Sequence, residues 1–316
     1  MSVYLGIDTS NYTSSVAAYD SKSGKMISEK LLLPVKENAC GLRQSDAVFL
    51  HVKQLGDVAE AVLSKLDEKP AAIGVSISPC DSEDSYMPCF LVGKMLSQAL
   101  SAAYNARQYF FSHQRGHIAA ALYSADKLDL IGSEFLALHI SGGTTDLLKI
   151  TPDNEKIISV ECVGRSLDIK AGQAVDRVGV MLGLGFPCGP ELEKLANNSD
   201  RSFKIKHCVN GLNCNLSGLQ NQAQKMLDNG ENKADIAKYC LDFVGGTIDK
   251  MCENARSAYP ELPFVFAGGV MSNKKIKANL SKKYNGFFAE PRFSSDNAAG
   301  IAVLCKIRDE SADKIN

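Results

Sequence analysis

Two distant stretches of this chain are written to one plan. Val3-Tyr4-Leu5-Gly6-Ile7-Asp8 reads as a buried strand, and the polar run Thr9-Ser10-Asn11-Tyr12-Thr13-Ser14 as a turn. Residues 15–20 and 26–33 extend it into a meander. Far downstream, Phe135-Leu136-Ala137-Leu138-His139-Ile140 reads as a second such strand. Ser141-Gly142-Gly143-Thr144-Thr145 follows as a tight turn, and 146–151 as the return strand. A repeated unit of this kind suggests a duplicated architecture.

Alternating elements follow each copy. Residues 46–66 place Val48, Val52, Leu55, Val58, Val62 and Leu66 at helical spacing. Residues 71–78 form an apolar strand, 79–88 a polar loop, 90–105 a helix, 108–111 a strand and 113–124 a helix. After the second copy, 166–183 and 234–257 read as helices, 264–267 as a strand and 297–309 as a closing helix. The pattern predicts an α/β protein with paired lobes and a cleft between them, where ligands tend to sit. The lobes are expected over 1–130 and 131–296, with 297–316 packing back on the first.

With 316 residues and 45% hydrophobic composition, a sizeable core is available and disorder is not indicated. The net charge of −1 gives no global basic field, although a local patch could still meet RNA. Lys274, Lys275, Lys277, Lys282 and Lys283 form one such cluster, which is also a plain solvated face. Ten cysteines lie at irregular spacing with no CxxC pair, which points to reduced thiols in a cytoplasmic protein rather than disulfides or structural zinc. No signal peptide and no membrane-length apolar run is expected.

The chemistry-bearing residues fall into two groups. His113 and His117 share a helix face at i and i+4, so both imidazoles can reach one ion. Asp296 could add an oxygen ligand, leaving coordination positions open as a catalytic metal requires. Two helix histidines without a metal are the alternative. The second group suits phosphate and ribose. In the 141–145 turn, glycine N–H groups can converge into an anion nest, or simply close a hairpin. In Ala267-Gly268-Gly269-Val270-Met271-Ser272-Asn273 a strand gives way to a helix start that attracts anions, with Asn273 able to bind a base or ribose; a ligand-free cap is equally consistent. Asp176 on a small-residue helix suits a ribose diol or a surface salt bridge. Gly189 permits close approach to a base or serves only a turn. His51, His139 and His207 read as structural.

Taken in order, Gly6-Ile7-Asp8-Thr9-Ser10, His113-x-x-Gly116-His117, Ser141-Gly142-Gly143-Thr144, Gly172-x-Ala174-x-Asp176, Pro187-x-Gly189-Pro190, Leu216-Ser217-Gly218-Leu219, Gly268-Gly269-Val270-x-x-Asn273 and Asp296-Asn297-Ala298-Ala299 resemble the tRNA threonylcarbamoyladenosine transferase family, once labelled glycoprotease. The resemblance runs from about residue 3 to 308. It implies the two-lobed actin/Hsp70/sugar-kinase fold with a nucleotide in the interlobe cleft. It implies a divalent metal, iron or zinc foremost and manganese compatible, on His113, His117 and Asp296. It implies adenylate contacts from Ser141, Gly142, Gly143, Thr144, Thr145, Asp176, Gly189 and Asn273. The implied reaction passes a threonylcarbamoyl group from its AMP anhydride to the N6 amine of the adenosine beside a tRNA anticodon, with accessory proteins as partners.

Several positions depart from the family pattern. Arg115 replaces the acid of H-x-E-G-H, Tyr12 and Thr13 replace an acidic pair, and Thr144 replaces the histidine of S-G-G-H-T. Pro79-Cys80-Asp81-Ser82-Glu83-Asp84 stands where a Gly-Pro-Gly loop is expected. Two further readings follow: a diverged relative that binds adenine nucleotide and metal without modifying tRNA, in a regulatory or scaffold role, or a carbamoyl or acyl transferase with another acceptor. A protease has no nucleophile–base pair visible in the sequence.

Overall fold

A computed structural model of the chain describes residues 2–10, 12–34, 42–82, 84–293 and 297–313. They form two compact units. One comprises Met1–Ile131, Pro152–Ser159 and Arg292–Asn316; the other comprises Gly132–Thr151 and Val160–Pro291.

The first unit is built on a five-stranded sheet. β1 (Val3–Ser10), β2 (Thr13–Asp20) and β3 (Met26–Leu32) form an antiparallel meander, while β4 (Pro70–Ser78) and β5 (Arg107–Ser112) continue from β1 in parallel. The β1–β2 connection is tighter than the sequence suggests: Ser10 pairs with Thr13, so most of the polar 9–14 run lies in strands. Strand pairing satisfies the backbone of those polar residues, which outweighs their turn preference. α1 (Gln44–Leu63) and α2 (Phe90–Tyr104) supply apolar faces, and Leu55, Val58 and Val62 join Leu5, Ile7, Ile73 and Val75 in the core. α3 (His113–Ser124) follows β5 directly, with Ser112 as its N-cap.

A last helix of this unit, α9 (Asn297–Asp313), lies on the opposite face of the sheet from α2. Ile7 and Thr9 lie against Gly93 of α2, whereas Gly6, one residue before Ile7 and so on the other face of the strand, meets α9. A Cβ on Gly6 would stand 2.1 Å from the Ala298 carbonyl oxygen, so only glycine admits the helix at this depth. α9 crosses α3 just as closely: a Cβ on Gly300 would lie 1.8 Å from the Gly116 carbonyl oxygen. Gly116 lies inside the histidine motif and Gly300 directly follows Asp296-Asn297-Ala298-Ala299, and backbone contact gives both a packing role.

The second unit has a sheet in the order β12-β11-β6-β7-β8, formed by β6 (Phe135–Ile140), β7 (Thr145–Asp153), β8 (Ile157–Arg165), β11 (Phe264–Ala267) and β12 (Phe287–Phe288). β9 (Cys208–Asn210) and β10 (Asn213–Asn215) make a separate hairpin. α4 (Ala171–Met181), α5 (Gly189–Ala196), α6 (Gly218–Asp228), α7 (Lys233–Ala258) and α8 (Lys274–Tyr284) complete it. Leu136, Leu138, Ile140 and Leu147 meet Ala174, Val175 and Val178 of α4 and Cys240, Val244 and Ile248 of α7 in one core. Residues 166–170 are not helical, contrary to the sequence expectation. There the Asp168 carboxylate accepts from Ile169, Leu216 and Ser217 N–H groups, tying the chain into a turn that delays the helix to Ala171. Among the described residues every cysteine is a free thiol, and no helix is long and apolar enough to cross a membrane.

Candidate functional site

In the second unit, one cavity of about 480 Å³ gathers residues from four helices and three connecting turns. Gly142, Gly172, Asp176, Gly189, Glu193, Ser272 and Asn273 give it polar atoms and open backbone; Val175, Pro187, Leu241, Val270 and Ile276 give it apolar walls. Four residues singled out in the sequence, Gly142, Asp176, Gly189 and Asn273, thus meet in one place.

Each is held for a local reason. Asp176 accepts a hydrogen bond from the Cys188 N–H at 2.9 Å and makes no ion pair among the described residues, so the salt-bridge alternative is not what occupies it. Burial raises its carboxyl above the ordinary range, and the Cys188 N–H pulls it partly back. Gly189 opens α5, with nothing within 4 Å of where a Cβ would stand. Asn273 is the N-cap of α8: its Oδ1 accepts from Lys275 and Ile276 N–H groups at 3.1 and 3.0 Å. The cap role is real, and it leaves the Asn273 amide N–H₂ uncommitted at the cavity wall. Gly172 lies so near the turn that a Cβ there would stand 2.6 Å from Gly142 N.

The rest of the glycine-rich turn is internally committed. Ser141 Oγ accepts from Gly143 and Thr144 N–H groups at 3.3 and 3.1 Å. Thr145 is buried, and its hydroxyl accepts from Ala171 N–H at 2.8 Å. These bonds shape the turn and take up donors an anion nest would need, leaving Gly142 as its cavity-lining member. Glu193 escaped the sequence reading. It lies four residues after Gly189, hence on the same face of α5, and its Oε1 accepts from Lys274 N–H at 2.9 Å. That spacing was the available signal.

In the first unit, the rings of His113 and His117 stand edge to face with centroids 4.5 Å apart. His113 Nδ1 is 2.9 Å from Asp8 Oδ1. Asp8 is fully buried at the end of β1 and also accepts from Ser76 Oγ and, at 3.3 Å, from Ser10 N–H. Burial pushes the Asp8 carboxyl upward, but the His113 charge and these hydrogen bonds outweigh it and hold it below its ordinary range. Asp8 was quoted within a motif, but no local pattern linked it to a histidine so far along the chain. Asp296 lies outside the described residues, as do Asn11 and Glu83. Among the described residues no group of three or more His, Cys, Asp or Glu side chains is arranged to hold a metal.

The departing residues have ordinary surroundings. Arg115 is buried and paired with Asp81. Thr13 is buried in β2, and Tyr12 is half exposed. Ser14 and His51 do form a hydroxyl–imidazole pair at 2.7 Å, but both are fully buried, and His51 is fixed by the Ser10 carbonyl at 3.0 Å. Such a pair braces β2 against α1 and offers no route to a substrate. The α8 lysines are partly spent on structure: Lys283 pairs with Asp249, Lys275 lies 3.6 Å from Asp242, and Lys277 sits over the Phe288 ring.

Comparison with solved structures shows a shared fold at low identity. Component A of (R)-2-hydroxyglutaryl-CoA dehydratase from Acidaminococcus fermentans is 16% identical, with TM-score 0.57 over 99% of this chain and 100% of that one. Full-length HypF in a phosphate- and nucleotide-bound form gives 0.59 at 11% identity, over 99% of this chain and 55% of that one. A ROK-family glucokinase from Streptomyces griseus, in complex with glucose and AMPPNP, gives 0.54 at 11% identity over 96% and 99%. The α/β fold is therefore that of the actin/Hsp70/sugar-kinase class. The TsaD model, tRNA N6-adenosine threonylcarbamoyltransferase, matches residues 41–303. By that match, which takes in the histidine helix, the glycine-rich turn and every wall of the cavity, the chain belongs to the TsaD family of transferases.

Proposed function

We propose that this chain transfers a threonylcarbamoyl group from threonylcarbamoyl-AMP to the N6 amine of the tRNA adenosine beside the anticodon. The observation that carries this reading is the single cavity that unites Gly142, Asp176, Gly189 and Asn273. Its chemistry suits an adenylate. Asp176 presents acceptor oxygens to a ribose diol, Asn273 has free amide donors, and Val175, Leu241 and Ile276 offer apolar surface to a base. The close approach of Gly172 to Gly142 holds the turn where a phosphate oxygen can meet backbone.

The histidine pair fits a metal. A ligating imidazole almost always has its second nitrogen bonded to a carboxylate or carbonyl, and Asp8 does this for His113 Nδ1, so Nε2 is the nitrogen that would face an ion. His113, His117 and Asp296 would hold a divalent ion, which would supply Lewis-acid polarisation and a template for the anhydride's oxygens. The nucleophile is the acceptor's own amine: its nitrogen bonds to the carbonyl carbon, the bond from that carbon to the phosphate oxygen breaks, AMP leaves with the electron pair, and the nitrogen gives up one proton to solvent. What this chain contributes is a fixed adenylate and an oriented imidazole, which lower the entropic part of the barrier. Accessory proteins supply the anhydride and help present the tRNA.

A second reading, nucleotide and metal binding without transfer, draws on Thr144 and on Tyr12 and Thr13, which put neutral groups where the family sets a histidine and acids. One assay separates the two. Bicarbonate, threonine, ATP, unmodified tRNA and bacterial accessory proteins are combined with this chain and the nucleosides are analysed by mass spectrometry. Modified adenosine is expected, and it should vanish with His113→Ala. An empty result beside an active authentic family member would sink the transfer reading and leave binding as the activity.

A further inference from the structure

Two departures from the family pattern meet in space. Arg115, where the family has an acid, is 8% exposed. Its Nε and a terminal nitrogen each lie 3.0 Å from Asp81 Oδ1, in the loop that replaces Gly-Pro-Gly. Nε also lies 3.2 Å from Ser112 Oγ, and Nη1 donates to the Lys156 carbonyl at 3.0 Å. The guanidinium stacks 5.8 Å over the Phe111 ring. Asp81 Oδ2 is buried and has no partner among the described residues, so Arg115 is the cation that compensates this carboxylate. Breaking such a pair strands a buried charge, which is far costlier than losing a surface contact.

The loop is tied to the same helix turn at a second point. Gln114 N–H donates to the Pro79 carbonyl at 3.0 Å. Ser112, whose hydroxyl Arg115 touches, is the N-cap of α3 and accepts from the Arg115 N–H at 3.4 Å. All these bonds converge on the first turn of α3, the turn from which His113 reaches Asp8. Arg115 is two residues from each histidine, roughly 200° round the helix, so its charge points away from theirs.

We infer that Arg115 and Asp81 are a positioning pair for the His113–His117 site. They clamp the loop at 79–82 onto the first turn of α3 and so fix the His113 ring in the orientation an ion requires. The acid missing from the helix has moved to the loop, and the arginine faces it there rather than the metal. The inference rests on the metal reading above.

Cobalt(II) titration of the full chain, followed by visible absorption, tests it. In the wild-type protein His113→Ala should abolish the cobalt spectrum. Arg115→Ala and Asp81→Asn should each weaken cobalt binding about tenfold or more, the usual effect of losing outer-shell support, and should alter the band shape. Arg115→Lys should recover only part of the affinity, because a point charge cannot bridge the same partners. The exchanged double variant Arg115→Asp, Asp81→Arg should recover most of it. If Arg115→Ala does not fold, Asp81→Asn and Arg115→Lys carry the test. Unchanged affinity and spectrum in folded Arg115→Ala or Asp81→Asn would overturn the positioning role while leaving the metal reading intact. A wild-type protein with no His113-dependent cobalt spectrum would instead overturn the metal reading, and this pair's role with it.

Discussion

Asp176 does two things with one carboxylate. One oxygen holds the Cys188 N–H, and the group also forms part of the cavity wall. Asparagine at this position can still accept from Cys188 but brings no charge to a diol. Asp176→Asn should therefore fold normally and bind AMP about tenfold more weakly, about 1.4 kcal/mol, as read by calorimetry. An unaltered affinity would remove Asp176 from the nucleotide site. At this scale the sequence was informative wherever a residue stood in a pattern of glycines or at helical spacing. Glu193 was marked only by its spacing from Gly189, and Asp8 was not legible as a site residue because its partner, His113, is remote in the chain. Thr145 and Ser141 were legible as members of a turn, but not the direction of their hydroxyls, which depends on where Ala171 and Gly143 fall.

Among the elements, the crossing of α3 and α9 is the tightest contact. Gly300→Ala would force a methyl into the Gly116 carbonyl, and helix backbones cannot yield locally as side chains do. A loss of about 3 kcal/mol in urea unfolding is expected, with a weakened His113–His117 site to match. A variant as stable as the parent would mean the helices part more easily than their packing indicates. The long helices α1 and α7 were legible from their apolar period, because their faces are buried along their whole length, and α2 from its first half, where Phe90, Val92 and Gly93 are buried. α6 was not, and α8 was legible only at its start after Gly268-Gly269, since few apolar residues mark them: Leu219, Ala223 and Met226 in one, Ile276 and Leu280 in the other. Nor was the late start of α4, which is set by the bonds from Asp168 to Leu216 and Ser217 in a segment nearly fifty residues on.

For the molecule as a whole, a ligand confined to one unit should stabilise that unit first. AMP at a hundredfold excess over its dissociation constant adds about 2.7 kcal/mol to whatever must unfold to release it. Hydrogen exchange should then slow around residues 142, 172 and 269–276 before it slows in β1 to β5. Equal protection across both sheets would argue against a site housed in the second unit. The repeated strand–turn plan made the fold class legible, because a buried strand ending in a polar turn is a local pattern. The membership of 152–159 in the first unit was not legible, since its polar residues mark a turn between two strands but not which unit the turn packs on. The contact between Gly6 and Ala298 has a consequence for biosynthesis. A ribosome adding 5–20 residues per second makes Gly6 roughly a quarter of a minute to a minute before Ala298. For that interval the emerging N-terminal sheet has one apolar face without its helix, so the region translated first is among the last to become native, and a pause or truncation late in the message exposes it to chaperones and proteases.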